Sequence, residues 1–235
     1  MQLPEPVPWT GSGWRAVEAQ HITATMALVN HRVEDQRLLE DMLETSAKPP
    51  QPTATRGLHF LLASPFRYPP PPGGSRFRGP FDPGVFYAAE DVPTACAEAG
   101  YWRWCFWRDS EGLAGVVKAI AMTLFEFRAA TRALLDLTLP PLSADRQRWT
   151  DRGNYAATQE LARQARDQGI EIIRSESVRN GPQGRCINVL TPQVFRNAQE
   201  PYRHVTQTWQ LHLNAAAGVI WQRELMPETL EFRFT

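Results

Sequence analysis

The sequence predicts a mixed α/β (α+β) fold: a single domain over residues 53–235, carrying an N-terminal helical extension over residues 1–52. Three observations predict it. Segments with helical period alternate with short apolar runs along the chain. The runs after residue 200 alternate and are separated by turns, as in an antiparallel meander. The prolines, 20 of 235 residues, cluster in a few stretches and so mark loops.

The elements follow in order. Residues 1–13, rich in Pro and Gly, read as irregular. From about Trp14 to Lys48 the pattern is helical: Val17, Met26 and Val29, then Leu38, Leu39, Met42 and Leu43, with a break at Asn30-His31. Lys48-Pro49-Pro50-Gln51-Pro52 ends this helical hairpin, because proline cannot continue a helix. Leu58–Ala63 reads as a short strand, and Pro69–Pro72 with Gly73-Gly74 as a loop. Val85–Ala89 is a buried strand. Asp91 caps a helix running to about Trp107, with Pro93 tolerated in its first turn. Lys118–Arg128 and Leu134–Leu137 read as two strands. Tyr155–Gln168 is a helix stopped by Gly169. Ile170–Ile173 and Cys186–Leu190 are strands, and Arg203–Leu213, Val219–Arg223 and Leu230–Phe234 supply the terminal meander.

Composition narrows the function. A hydrophobic fraction of 43% with 21% charged residues is that of a globular protein. Lys plus Arg and Asp plus Glu are both 25, so the broad basic footprint of non-specific nucleic-acid binding is missing. Nearly all the positive charge is arginine, Lys48 and Lys118 being the only lysines. That bias fits two-pronged binding of a phosphate-bearing ligand, and it equally fits a GC-rich genome. Cys96, Cys105 and Cys186 show no CxxC spacing and are odd in number, which points away from a disulfide framework or zinc site and toward a reducing cytoplasm. His21, His31, His59, His204 and His212 form no ligand-spaced pair, so no metal is expected. The start Met1-Gln2-Leu3-Pro4 does not read as a signal peptide, and no stretch reaches the apolar length of a membrane span.

Two constellations carry candidate chemistry. Glu98 shares a helix face with Ala95, Trp102 and Cys105, at i−3, i+4 and i+7. A carboxylate in an apolar stripe is costly unless it is paired or opens on a cleft, so Glu98 reads either as a structural ion-pair partner or as a catalytic group. Arg67, Arg76 and Arg78 surround the Pro/Gly loop, an arrangement suited to a pyrophosphate or simply to a solvated loop. Trp102, Trp104, Phe106 and Trp107 read as core packing of one helix, and Tyr202, Trp209 and Trp221 as sheet packing.

The order of the pieces adds a resemblance. Phe66-Arg67-Tyr68, Gly74-Ser75-Arg76-Phe77, Gly84-Val85-Phe86-Tyr87-Ala88, Thr94-Ala95-Cys96-Ala97-Glu98 and Gly169–Arg179 follow one another as in the RES-domain family. The chain resembles that family over about residues 57–195, and Val17-Glu18-Ala19-Gln20-His21 is similar to its longer members. The resemblance implies a fold akin to ADP-ribosyltransferase toxins and a toxin that degrades NAD by phosphorolysis, hydrolysis or ADP-ribose transfer, with NAD as substrate and no cofactor. It also implies a cognate antitoxin with an Xre-type helix-turn-helix domain that contacts DNA in the toxin's stead. Carried onto this chain, it makes Glu98 the carboxylate that stabilises positive charge on the ribose. It makes Arg67 and Arg76 the pyrophosphate ligands, Tyr87 the residue that stacks on or orients the nicotinamide riboside, and Ser177 a hydrogen-bond partner of the ribose or amide. Ser175 competes with Ser177 for that role. The family's second motif often reads Gly-Gly-Arg-Trp-Asn, where this chain has Gly74-Ser75-Arg76-Phe77-Arg78. The acceptor (phosphate, water or a protein) stays open. The alternative reading is a toxin-like binding protein, inert or acting on RNA.

Overall fold

The computed structural model describes residues 3–19, 29, 32–113, 119–196, 205–214 and 216–234. The Asn30-His31 break, Lys118, Tyr202 and His204 lie outside the described residues, as do Gln20 and His21. Among the described residues, eight strands form one sheet and are accompanied by five α-helices, so the fold is mixed α/β.

The chain opens on a strand, β1 (Val7–Glu18), where irregular chain and then a helix from Trp14 were expected. Strand period explains the difference: Trp9 and Val17 pack on one apolar cluster, Trp14 and Ala16 on another. A ladder to β3 (Ala119–Asp136), from Val7 opposite Leu134 to Glu18 opposite Met122, overrides local propensity. Gly13 permits the close crossing over β2 (Phe86–Ala89), since a Cβ there would lie 2.8 Å from the Ala89 carbonyl oxygen and from the Phe127 ring. The expected helix survives as α1 (Val33–Met42), followed by one π-helical turn, Leu43–Ala47.

Leu58–Ala63, expected as a strand, is the start of α2 (Phe60–Arg67). A six-residue apolar run has no decisive period. The His59 ring caps the helix by accepting from the Leu61 N–H, and the helix buries Leu62 and Ala63. The two strands expected over 118–137 are one 18-residue strand, β3. Its polar middle, Arg128 to Arg132, still alternates, with Ala129 and Thr131 inward.

Two of the remaining helices are as expected, and the short helix Arg146–Trp149 is additional. Asp91 accepts from the Thr94 N–H at 2.7 Å and starts α3 (Val92–Arg108). After the single turn α4 (Arg146–Trp149), α5 (Ala156–Asp167) ends before Gly169, whose φ of +72° suits glycine. The strands β4 (Ile172–Glu176), β5 (Arg185–Val189), β6 (Thr206–Asn214), β7 (Gly218–Arg223) and β8 (Thr229–Arg233) complete the set.

The strand order is β1-β2-β5-β4-β3-β6-β7-β8, antiparallel except for β3–β4, and β1 also pairs with β3. The first five positions in that order therefore form a closed circuit of pairings, and β6–β7–β8 continue from β3 as an antiparallel meander, where two or three antiparallel strands were expected. Phe86 sits in the circuit's core, edge-on to Phe127 and to Phe195 with ring centroids 5.0 Å from each. Such pairs add about 0.5–1.5 kcal/mol beyond area burial. α3 covers β6 and β7, where Trp209 and Trp221 are fully buried as expected, while α5 and Trp149 cover Phe77, Leu135 and Ile173.

Candidate active site

A cleft of about 610 Å³ opens where β1 crosses β2, walled by α2, α3, the Tyr68–Arg78 loop and the β4–β5 pair. This is within the size range of small-molecule pockets. Glu98, Arg76, Tyr87 and Ser175 line it; Arg67 and Ser177 do not.

Glu98 stands two turns into α3, rigidly placed by the Asp91 cap. It is half-buried, and among the described residues it makes no ion pair with an arginine. Its Oε1 accepts from the Ser177 hydroxyl at 2.6 Å and from the Val178 N–H at 3.1 Å, with the Cys186 Sγ at 3.7 Å. Among the described residues no hydrogen bond falls on Oε2. One oxygen is thus anchored while the other is left for the cleft. Burial pushes the Cys186 thiol pKa well above its ordinary range, and the neighbouring Glu98 raises it further.

Ser177 is fully buried and acts on Glu98 rather than reaching into the cleft. Its Oγ also accepts from the N–H groups of Arg179 and Asn180, which fixes the turn after β4. Ser175 is engaged by the Asn188 side-chain amide at 3.0 Å. Of the two serines, only Ser177 bonds the carboxylate.

Tyr87 faces the cleft from β2, but its hydroxyl is occupied. It bonds the Ser75 hydroxyl at 2.7 Å and accepts from the Phe77 N–H at 3.0 Å, and burial pushes its pKa up. Its hydroxyl tethers the loop that carries Arg76. Gln159 of α5 braces the same loop by donating to the Gly73 and Ser75 carbonyls. Gly74 is required there: its φ is +75°, and a Cβ would fall 2.3 Å from the Arg78 carbonyl oxygen.

Arg76 donates to the Trp149 carbonyl at 3.0 Å and lies 4.8 Å from the Tyr155 ring centroid. Burial lowers its pKa, partly offset by Tyr155 and by Glu98 and reinforced by Arg179. Arg76, Glu98 and Arg179 therefore share one electrostatic environment. Arg67 points elsewhere: its Nε donates to the Pro49 carbonyl and its Nη1 to Glu44, so it ties the α1 segment to α2. Sequence adjacency to the loop did not bring it to the cleft, because its position at the end of α2 turns it toward Pro49. Arg78 is spent on the Tyr68 and Asp82 carbonyls.

Two further arginines line the cleft: Arg15, which lies outside every motif, and Arg179, which ends the Gly169–Arg179 motif but was given no role from it. Arg15 projects from β1 over the Phe86 ring, 4.9 Å from its centroid, and donates to the Tyr87 carbonyl. Its Nε is buried with no hydrogen-bond partner among the described residues, and burial lowers its pKa to about 10. Strand alternation through Arg15 and Val17 would have found it. Arg179 stacks 3.4 Å above the Tyr101 ring at the cleft wall.

The sequence of residues 50–214, well over half of the chain, matches the family model described as the RES domain. The chain belongs to the RES-domain family. β1 and α1 precede the matched region, so Arg15 is supplied to the RES cleft from outside it. No curated protein matches the sequence. Among solved structures, the chain is similar to one in the crystal structure of the M. tuberculosis MbcT–MbcA toxin–antitoxin complex, at 12% identity and a TM-score of 0.48, over 90% of this chain and 88% of that one. Among the described residues no helix is long and apolar enough to cross a membrane.

Proposed function

We propose that this RES protein cleaves the nicotinamide–ribose bond of NAD and is the toxin of a toxin–antitoxin pair. One observation carries the proposal: Glu98 is anchored through a single oxygen in a cleft that also holds Arg15, Arg76 and Arg179. A carboxylate pre-placed beside the ribose stabilises the positive charge that develops as the C1′–N bond breaks, without reorganisation. The bonding pair leaves with nicotinamide and neutralises its ring nitrogen, so no acid is needed. An oxygen of water or inorganic phosphate then bonds C1′ and releases its proton to solvent. The three arginines supply charge for the pyrophosphate. Ser177 positions Glu98, and Tyr87 positions the Arg76 loop.

An enzyme that drains NAD in the cytoplasm must be restrained. The family resemblance supports an antitoxin with an Xre-type DNA-binding domain, and the balanced charge of this chain fits a division of labour in which that partner contacts DNA. An antitoxin segment that covers the arginine-lined cleft would compete with NAD, and by linkage each would lower the other's apparent affinity.

The test is incubation of purified protein with NAD, with and without inorganic phosphate, and chromatographic detection of nicotinamide. Release that requires phosphate identifies a phosphorylase; release without it, a glycohydrolase. Absence of release in both, or equal release by a folded Glu98→Gln protein, would overturn the proposal.

A further inference from the structure

Trp102 is one of four aromatic residues of α3 expected to pack in the core, yet it is 52% exposed, as Phe106 is exposed, while Trp104 is buried. Trp102 forms part of the cleft wall. Among the described residues its only ring contact is edge-on, with Tyr101 at 5.4 Å between centroids, so the indole faces are not covered by another ring. Tyr101 is in turn held by the Arg179 guanidinium on its own face, which steadies the pair. An indole on the cleft wall one helical turn from Glu98 offers an aromatic surface that a ligand in the cleft can meet.

The spacing says which part of a ligand it meets. Glu98 and Trp102 are four residues apart on α3, so their Cβ atoms are about 5–6 Å apart on one face of the helix. A carboxylate that acts at the ribose C1′ leaves Trp102 within reach of the ring bonded to that carbon, and not of the adenine at the far end of a dinucleotide. That ring is a pyridinium cation. Indole is the best of the side-chain faces for a cation, and Tyr87, whose hydroxyl is tied to the loop, has less freedom to follow it.

We infer that Trp102 is the stacking platform for the cationic pyridinium ring of the substrate, an assignment that rests on the NAD-cleaving reading. It has a kinetic consequence. As the bond breaks, the ring loses its charge, so the contact is stronger in the ground state than in the transition state. Such a contact tightens substrate binding without accelerating the chemical step. Trp102→Ala raises KM and leaves kcat unchanged or higher, opposite in pattern to loss of Glu98.

The experiment uses ligands that do not depend on turnover. N1-methylnicotinamide, a pyridinium cation, and neutral nicotinamide are titrated into wild type, Trp102→Ala and Trp102→Phe by ligand-observed NMR. Circular dichroism checks the fold, which a half-exposed residue should leave intact. Wild type should bind the cation more tightly than the neutral ring. Trp102→Ala should weaken the cation about two- to thirtyfold, and the neutral ring less. Trp102→Phe should restore part of the difference. No binding of the cation by wild type, unchanged affinity in Trp102→Ala, or equal loss for both ligands would overturn the inference. The two readings fail separately. A Trp102-dependent preference for the cation in a protein that does not cleave NAD leaves the platform standing and sinks the reaction. NAD cleavage with an unaltered KM in Trp102→Ala does the reverse.

Discussion

Ser177→Ala probes the chemistry at one remove from the cleft. The Ser177 hydroxyl donates to Glu98 Oε1 at 2.6 Å, a hydrogen bond to an ionised group. Such a bond contributes about 1.5–3 kcal/mol, which, spent on holding the carboxylate in position, corresponds to roughly a 10- to 150-fold fall in kcat/KM. The same change strands the N–H groups of Arg179 and Asn180, which now bond Oγ at 3.2 and 2.9 Å. Both donors are only part-buried, so each costs less than the roughly 1–3 kcal/mol of a fully buried unsatisfied group, but Tm should still fall. The two effects separate if nicotinamide release is measured per folded molecule, well below the variant's Tm. A double-mutant cycle is sharper: in a Glu98→Gln background, Ser177→Ala should cost little further activity, because its effect runs through the carboxylate. Full turnover by folded Ser177→Ala, or additive losses in the cycle, would refute the positioning role.

Other consequences follow from the same geometry. Arg76→Ala should weaken NAD binding by about tenfold or more in calorimetry, whereas Arg67→Ala, which breaks a contact to Glu44 outside the cleft, should leave binding near wild type and lower only Tm. Arg15→Gln should weaken NAD as Arg76→Ala does, although β1 lies before the RES match; retained affinity would remove Arg15 from the site. Gly184→Ala would place a Cβ 2.9 Å from the Ser177 Cβ and 2.9 Å from the Thr94 Oγ1, so displacement of the Ser177 turn and reduced turnover are expected in the same assay. Iodoacetamide at pH 8 should label half-exposed Cys105 before Cys96 and Cys186, since burial raises both latter thiol pKa values and keeps them protonated; peptide mass spectrometry reads the order.

The sequence by itself determined the local features whose causes are local. The Asp91 cap, the Gly169 stop, the Pro/Gly loop and the alternating terminal strands all depend on neighbours a few residues away. The order of motifs was equally legible, and it points to the RES family on its own. Tertiary structure decided the rest, because each remaining feature depends on a partner distant in sequence. Trp14 to Glu18 became strand because β3 offered a ladder more than a hundred residues away. The Leu58–Ala63 run led into a helix because it was too short to choose a period and Leu62 found its place against Phe86, Phe125 and Val189. At the site, the residue types were readable but their assignments were not. Ser177 and Tyr87 hold other residues, Arg67 faces Glu44, and Arg15 arrives from the first strand. A sequence lists the groups able to bond; which of them are already bonded, and so unavailable to a ligand, is fixed only when the chain closes on itself.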